Sequence, residues 1–336
     1  MFNMVNVEEG YVNESGIDCR NYGGLDGLPE LKELFAKMMD VEASQVIVGG
    51  NSSLNSMFDT VSQFMTHGYF EGGTPWMLQK NKKFLCPVPG YDRHFKICEY
   101  FGIEMINIPM NSDGPDMEEV RKWVQDPTVK GMWCVPKYSN PTGVVYSDEI
   151  IREIAQLKPA SEDFRILWDN AYCVHHLTDD EVTILNLLGE CEKYGNEDMV
   201  IKFASTSKIT FPGAGVAAEV ASAKNVAYLK KRMSFQTIGP DKLNQLRHAR
   251  FFKSIDDIKS HMKKHAAILK PKFETVLSRL NKELKEAGIA EWTNPKGGYF
   301  ITLNVMNGCA KRVVELCRDA GVVLTGAGAP FPYGKD

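Results

Sequence analysis

From about residue 45 to residue 225, short apolar runs alternate with longer stretches in which apolar and polar residues recur at helical spacing. The apolar runs predict strands over Gln45–Val48, Lys83–Cys86, Glu104–Ile108, Gly131–Val135, Arg165–Trp168, Val200–Phe203 and Gly215–Val220. The amphipathic stretches between them predict helices that include Leu54–Met65, Asp92–Phe101, Asp116–Gln125 and Asp148–Leu157. Strands separated by helices need crossover connections, which build a mainly parallel sheet in an α/β fold. Ligands of such sheets bind at the carboxyl ends of the strands, so the residues just after each strand are where chemistry is to be sought.

The pattern changes after about residue 225. Lys224–Met233 and Asp256–Ala287 read as long polar helices, the second starting from Ser254 with a break near Pro271. Gly297–Leu303 reads as a turn and strand, and Cys309–Ala320 as a further helix. Together these predict a second, smaller α/β unit joined to the first by a long helix. Near the start, Leu28–Met39 reads as one amphipathic helix, with Pro29 where a helix start tolerates a missing N–H. The expected organisation is an N-terminal segment over 1–44, a large domain over 45–240 and a small, incomplete C-terminal domain over 241–336.

Composition narrows the class. Hydrophobic content of 43% and charged content of 24% are those of an ordinary globular protein. A net charge of −4 and a pI near 6.0 give no electrostatic basis for nucleic acid or anionic membranes as partners. No stretch approaches the roughly 18 continuous apolar residues of a membrane helix. Met1–Asn6 has no basic region followed by an apolar one, so no signal peptide is expected. The eight cysteines are scattered without a Cys-x-x-Cys pair, which suits a reducing compartment and makes the cytoplasm the expected location.

Four strand-end segments carry candidate chemistry. Ala204-Ser205-Thr206-Ser207-Lys208 follows the Val200–Phe203 strand. A lysine there can form a Schiff base with an aldehyde if its amine is neutral and accessible, with hydroxyls beside it for a phosphate. Asp169-Asn170-Ala171-Tyr172 follows Arg165–Trp168, placing a carboxylate at a cleft floor, where it would pair strongly with a protonated pyridine nitrogen. Tyr172 is then within reach of a phenolic oxygen on the same ring. In Pro136-Lys137-Tyr138-Ser139-Asn140-Pro141-Thr142-Gly143, Asn140 can donate its amide to that oxygen. Gly49-Gly50-Asn51-Ser52-Ser53 leads into a helix, whose free N–H groups and dipole favour a phosphate. It lacks the Gly-Lys-Ser/Thr ending of a Walker loop. Singly, each segment has an ordinary alternative: a surface lysine, an N-cap aspartate, a good turn, a capped helix start.

Their order along one α/β domain is more informative than any one of them. Gly-rich loop, aromatic segment, Asn-Pro-x-Gly, Asp-x-x-Tyr and Ser-x-x-Lys in succession resemble the fold-type I pyridoxal-phosphate (PLP) aminotransferases, the aspartate aminotransferase superfamily. The resemblance runs from about Tyr22 to Gly328. It is closest to the MocR-like aspartate aminotransferase branch at Val48–Leu54, Ser205–Phe211 and Ser234–Lys242. It implies a three-layer αβα large domain, pyridoxal 5'-phosphate as cofactor, and transamination between an amino acid, aspartate or glutamate favoured, and a 2-oxo acid. By motif, Lys208 would carry the cofactor and move the proton, and Asp169 would pair with the ring nitrogen with His94 behind it. Asn140 and Tyr172 would bind the phenolic oxygen, and Tyr91 would stack on the ring. Gly50, Asn51, Ser52, Ser53 and Ser205 would hold the phosphate. Tyr22 resembles the tyrosine that reaches the phosphate of a neighbouring subunit, which implies a homodimer.

Two departures stand out. Many relatives place a phosphate-binding arginine seven or eight residues after the lysine, where this sequence has Gly213-Ala214-Gly215-Val216. Hydroxyls and backbone amides are then expected to carry more of the phosphate charge. The family's arginine for the substrate α-carboxylate would lie beyond Asp336, so the sequence reads as a piece cut at both ends. Arg20 and Arg93 are the other candidates for that carboxylate. No metal site is expected: His261 and His265 have helical spacing, but Met262 stands where a metalloprotease helix has glutamate, and a solvated helix face is the simpler reading. Two other functions share the fold. One is a PLP-dependent lyase or decarboxylase, because the cofactor supplies the electron sink for all of these reactions. The other is a non-catalytic, aminotransferase-like effector domain.

Overall fold

The computed structural model describes Met1, residues 10–70 and residues 72–335. Most of the Met1–Asn6 stretch read for a signal peptide therefore lies outside the described residues. Helix α1 (Pro29–Met39) starts one residue after the expected Leu28, which is its cap, and buries Leu31, Leu34, Phe35 and Met39. β1 (Val46–Val48) leads into α2 (Ser53–His67), then β2 (Lys83–Val88), α3 (Asp92–Tyr100), β3 (Glu104–Asn111) and the short β4 (Gly114–Pro115). α4 (Met117–Trp123), β5 (Val129–Cys134), α5 (Asp148–Ala155), β6 (Arg165–Asp169), α6 (Leu187–Glu192), β7 (Val200–Ser205) and β8 (Ala217–Ala221) follow. The first helix of that series begins one residue late because Asp116 is its cap, accepting from the backbone N–H groups of Glu118 at 3.0 Å and Glu119 at 3.2 Å.

Among the described residues these eight strands form one sheet, ordered β1-β8-β7-β6-β5-β2-β3-β4. The pairs β7–β6, β6–β5, β5–β2 and β2–β3 are parallel, while β8 runs antiparallel to both its neighbours. β1 therefore points the same way as β7, and the carboxyl ends of β1, β2, β5, β6 and β7 share one edge. Side chains alternate between two apolar layers. Ile166 and Trp168 face the layer of α1, α4, α5 and α6, and Leu167 faces that of α2, α3 and α7 (Ala223–Gln236). The large unit is thus a three-layer αβα sandwich around a mainly parallel sheet.

α8 (Lys242–Phe251) was not expected from the sequence, because its apolar positions are too few to give a helical stripe. α9 (Ile255–Leu284) begins at a Ser254–Asp257 capping box and corrects one expectation: it runs through Pro271 as a single helix. Proline deprives the carbonyl four residues earlier of its partner, but Ala267 is exposed and water can serve its carbonyl. β9 (Ala290–Trp292) and β10 (Leu303–Val305) pair antiparallel, and α10 (Ala310–Asp319) follows them. The strand expected within Gly297–Leu303 is confined to its end. Gly297 instead bridges His176, because that glycine lies against Tyr138 and His175 too closely for any side chain.

Candidate active site

The loops after β1, β2, β5, β6 and β7 converge on one cleft. Asp169, the last residue of β6, is 3% exposed. Its Oδ2 lies 3.1 Å from His94 Nε2, and its Oδ1 is buried without a hydrogen-bond partner. His94 is itself held flat against Trp133, with ring centroids 4.2 Å apart and planes 6° from parallel. That stack fixes the imidazole, and the imidazole in turn fixes the carboxylate. An orphaned carboxylate oxygen at this depth is costly unless a donor arrives.

Lys208 follows β7. Its Nζ sits 4.8 Å from the centroid of the Tyr172 ring. Burial lowers the Lys208 pKa, while the charge of Asp169 raises it in part. Tyr172 is buried, which pushes its phenol well above the usual range; Asp169 adds to this, while the nearby Asn140 side chain acts in the opposite direction. Tyr91 stands edge-on to His94 at 5.0 Å, and its hydroxyl is raised to about 12 by burial and then by Asp169. Asp169, Lys208, Tyr172, Asn140 and Tyr91 are therefore brought into one neighbourhood, as their order in the sequence anticipates.

The Gly-rich loop lies beside them. Gly50 adopts φ +67°, open to glycine at no cost, with empty space where a side chain would stand. Ser52 caps α2, its Oγ accepting from Leu54 N–H at 3.2 Å, which leaves its hydroxyl proton free to donate; Ser53 is the first helical residue. Asn51 donates its amide to the Gly213 carbonyl at 3.2 Å and accepts on its own carbonyl from Ser207 Oγ at 3.3 Å. Ser205 Oγ donates to Ser207 Oγ at 3.1 Å. The serines at the end of β7 and the loop after β1 thus form one polar cradle. This donor set, with the orphaned Asp169 Oδ1 and the desolvated Lys208 amine, fits a phosphorylated pyridine aldehyde.

Tyr22 is not part of this cluster within one chain. It is 81% exposed, on a loop pinned by Lys242, whose Nζ donates to the carbonyls of Asn21 and Gly23 at 2.7 Å each. Arg20 is engaged by Asp18 at 2.8 Å and Arg93 lies 3.9 Å from Asp92, both well exposed. His261 does not lie on a solvated face: its Nε2 is 2.9 Å from the Ile209 carbonyl and its ring packs on Phe251 and Phe252. Among the described residues no group of three or more His, Cys, Asp or Glu is placed to hold a metal ion.

Trp133 and Tyr299, neighbours of the cluster, were not read from the sequence, and His175 lies beside them. Trp133, the penultimate residue of β5, backs His94. Tyr299 donates its hydroxyl to the Lys208 carbonyl at 3.0 Å, and His175 Nε2 lies 3.3 Å from the same oxygen. Burial lowers His175 to about 3, so it is neutral at ordinary pH and its Nε2 can carry the proton that this carbonyl accepts. The Gly297-Gly298 turn was the available signal for Tyr299. It lets the second unit approach the first, with Gly298 N–H donating to the His175 carbonyl at 2.9 Å.

The family model described as aspartate amino-transferase matches residues 2–336. A putative aminotransferase of Mycolicibacterium smegmatis is 49% identical over 329 residues, covering 98% of this chain and 77% of that protein. An aspartate aminotransferase of Corynebacterium glutamicum is 47% identical over 321 residues, covering 96% of this chain and 74% of that one. The crystal structure of a putative aminotransferase from Corynebacterium diphtheriae superposes with a TM-score of 0.97 at 47% identity, covering 100% of this chain and 83% of that chain. With its sheet, its strand-end cluster and these relatives, the chain belongs to the aspartate aminotransferase family and is an aminotransferase enzyme.

Proposed function

We propose that the enzyme is PLP-dependent, with the cofactor carried on Lys208, and that it moves an amino group between aspartate or glutamate and a 2-oxo acid. The observation that carries this reading is the buried, unpartnered Oδ1 of Asp169 in the same neighbourhood as the desolvated amine of Lys208. PLP, when bound, supplies the sink for electrons released at the substrate Cα. Asp169 holds a proton on the ring nitrogen, and the His94–Trp133 stack keeps its carboxylate aimed. Asn140 and Tyr172 bind the phenolic oxygen. Tyr91 covers a ring face and excludes water from it. Gly50, Asn51, Ser52, Ser53 and Ser205 hold the phosphate. Lys208, its pKa lowered by burial, is the base that takes a proton from the substrate Cα.

The same reading makes the protein a homodimer in the cytoplasm. Tyr22 is joined by two exposed apolar side chains, Phe235 at 85% and Ile238 at 63%. The Tyr22 loop adjoins the loop of Ile238 at the end of α7: a side chain at Gly239 would meet the Gly23 carbonyl at 2.5 Å. An apolar patch of this kind suits coverage by a second copy. The division into 1–44, 45–240 and 241–336 belongs to this proposal too.

The test is a half-reaction followed by absorbance. L-Aspartate or L-glutamate should convert bound PLP to its amine form, and the matching 2-oxo acid should restore it. Release of carbon dioxide or ammonia without such exchange would overturn the proposal.

A further inference from the structure

Gly215 stands seven residues after Lys208, where the sequence lacks the arginine that many relatives carry, and a side chain there would be tightly hemmed by backbone. A Cβ there would sit 3.0 Å from Ser207 N and 3.2 Å from the Phe211 carbonyl. A guanidinium nevertheless reaches this place from α8, the helix that the hydrophobic pattern did not reveal. Arg247 lines a cavity of about 670 Å³ together with Gly50, Asn51, Gly213, Ala214 and Asn244. Its Nη2 donates to Asn244 Oδ1, and Asn244 donates its own amide to the Gly215 carbonyl at 2.8 Å. The arginine is thereby tied to the very backbone position where the usual one is missing.

Its Nε is buried and has no hydrogen-bond partner, and among the described residues no carboxylate forms an ion pair with it. Asp241 also lines the cavity, but it caps α8, accepting from Asn244 N–H at 3.0 Å. A half-buried guanidinium with an unused donor, lining one cavity with Gly50 and Asn51 just ahead of a 15-residue helix capped by Ser52, calls for an anion with several acceptor oxygens. We infer that Arg247 is the phosphate-binding arginine of this enzyme, supplied from α8 rather than from the loop after the cofactor lysine. The inference rests on the PLP reading above. It also changes the expectation that hydroxyls and amides alone balance the phosphate charge.

The experiment compares PLP with pyridoxal, which has the same ring and aldehyde but no phosphate. The full-length chain stripped of cofactor is titrated with each, for wild type, Arg247→Ala and Arg247→Lys, with melting curves to confirm folding. Losing hydrogen bonds to a charged group weakens binding by about tenfold to a hundredfold. Arg247→Ala should lose that much affinity for PLP and less than about twofold for pyridoxal, with Arg247→Lys in between. Equal weakening of both ligands, or of neither, would refute a phosphate role and leave the PLP reading standing. Wild-type protein that binds neither ligand sinks the PLP reading and this inference with it.

Discussion

Asp169→Asn exchanges one oxygen for an NH2 group and leaves the volume of the β6 terminus unchanged. The amide oxygen can still accept from His94 Nε2, 3.1 Å away in the wild type. The NH2 group then takes the place of the orphaned Oδ1. A buried acceptor with a negative charge has become a neutral donor, so a protonated ring nitrogen loses its partner. Two unit charges about 4 Å apart attract by about 4 kcal/mol at an effective dielectric constant of about 20. Removing charge stabilisation from a reaction centre commonly costs about 10²–10³ in kcat, or about 2.7–4 kcal/mol, which is of the same size. The variant should therefore lose about two to three orders of magnitude in the single-turnover rate with L-aspartate while retaining cofactor through its phosphate. Stability should hold or rise, because a buried carboxylate has been removed. The Lys208 pKa should fall further, because Asp169 is the group that raises it. A single-turnover rate within tenfold of wild type, at full cofactor content, would refute the role assigned to Asp169.

Tyr299→Phe removes the hydroxyl that donates to the Lys208 carbonyl and keeps the ring that packs on Tyr172 and His175. One such bond contributes about 0.5–1.5 kcal/mol, so kcat should fall by about two- to twelvefold at unchanged PLP content; an unaltered kcat would remove Tyr299 from the positioning of Lys208. Lys202, fully enclosed, donates to the Met39 carbonyl and to Asn186, and burial lowers its pKa to about 8. The unfolded chain, with a lysine near 10.4, binds more protons between those two values. Stability from this group therefore grows as pH rises through that window, by roughly 1.4 kcal/mol per pH unit. Lys202→Met should flatten that rise in denaturant melts taken from pH 7 to 10, and identical slopes in the two proteins would contradict it.

The parallel sheet was legible because its central strands are buried on both faces and read as nearly continuous apolar runs, as in Met132–Cys134 and Ile166–Trp168. The cleft was legible for a related reason: function sits where strands end, and strand ends can be counted along a sequence. Pairwise distances were not legible. Nothing in Gly-Met-Trp-Cys says that Trp133 faces His94, because the choice of sheet face depends on register. α8 was hidden because it is held by polar contacts, such as Gln245 to the Val48 carbonyl at 3.1 Å, rather than by an apolar stripe. Arg247 was hidden with it. Pro271 misled because proline breaks a helix when the freed carbonyl is buried, and here it is not.

The central claim is that Lys208 carries the cofactor. The purified protein, loaded with PLP, is reduced with borohydride, digested and mapped by mass spectrometry. The account predicts the phosphopyridoxyl mass on Lys208 alone, and its loss in Lys208→Ala even though that variant still takes up some PLP. A reduced adduct on another lysine of the wild-type protein, or a colour that persists through Lys208→Ala with a trapped adduct elsewhere, would contradict it.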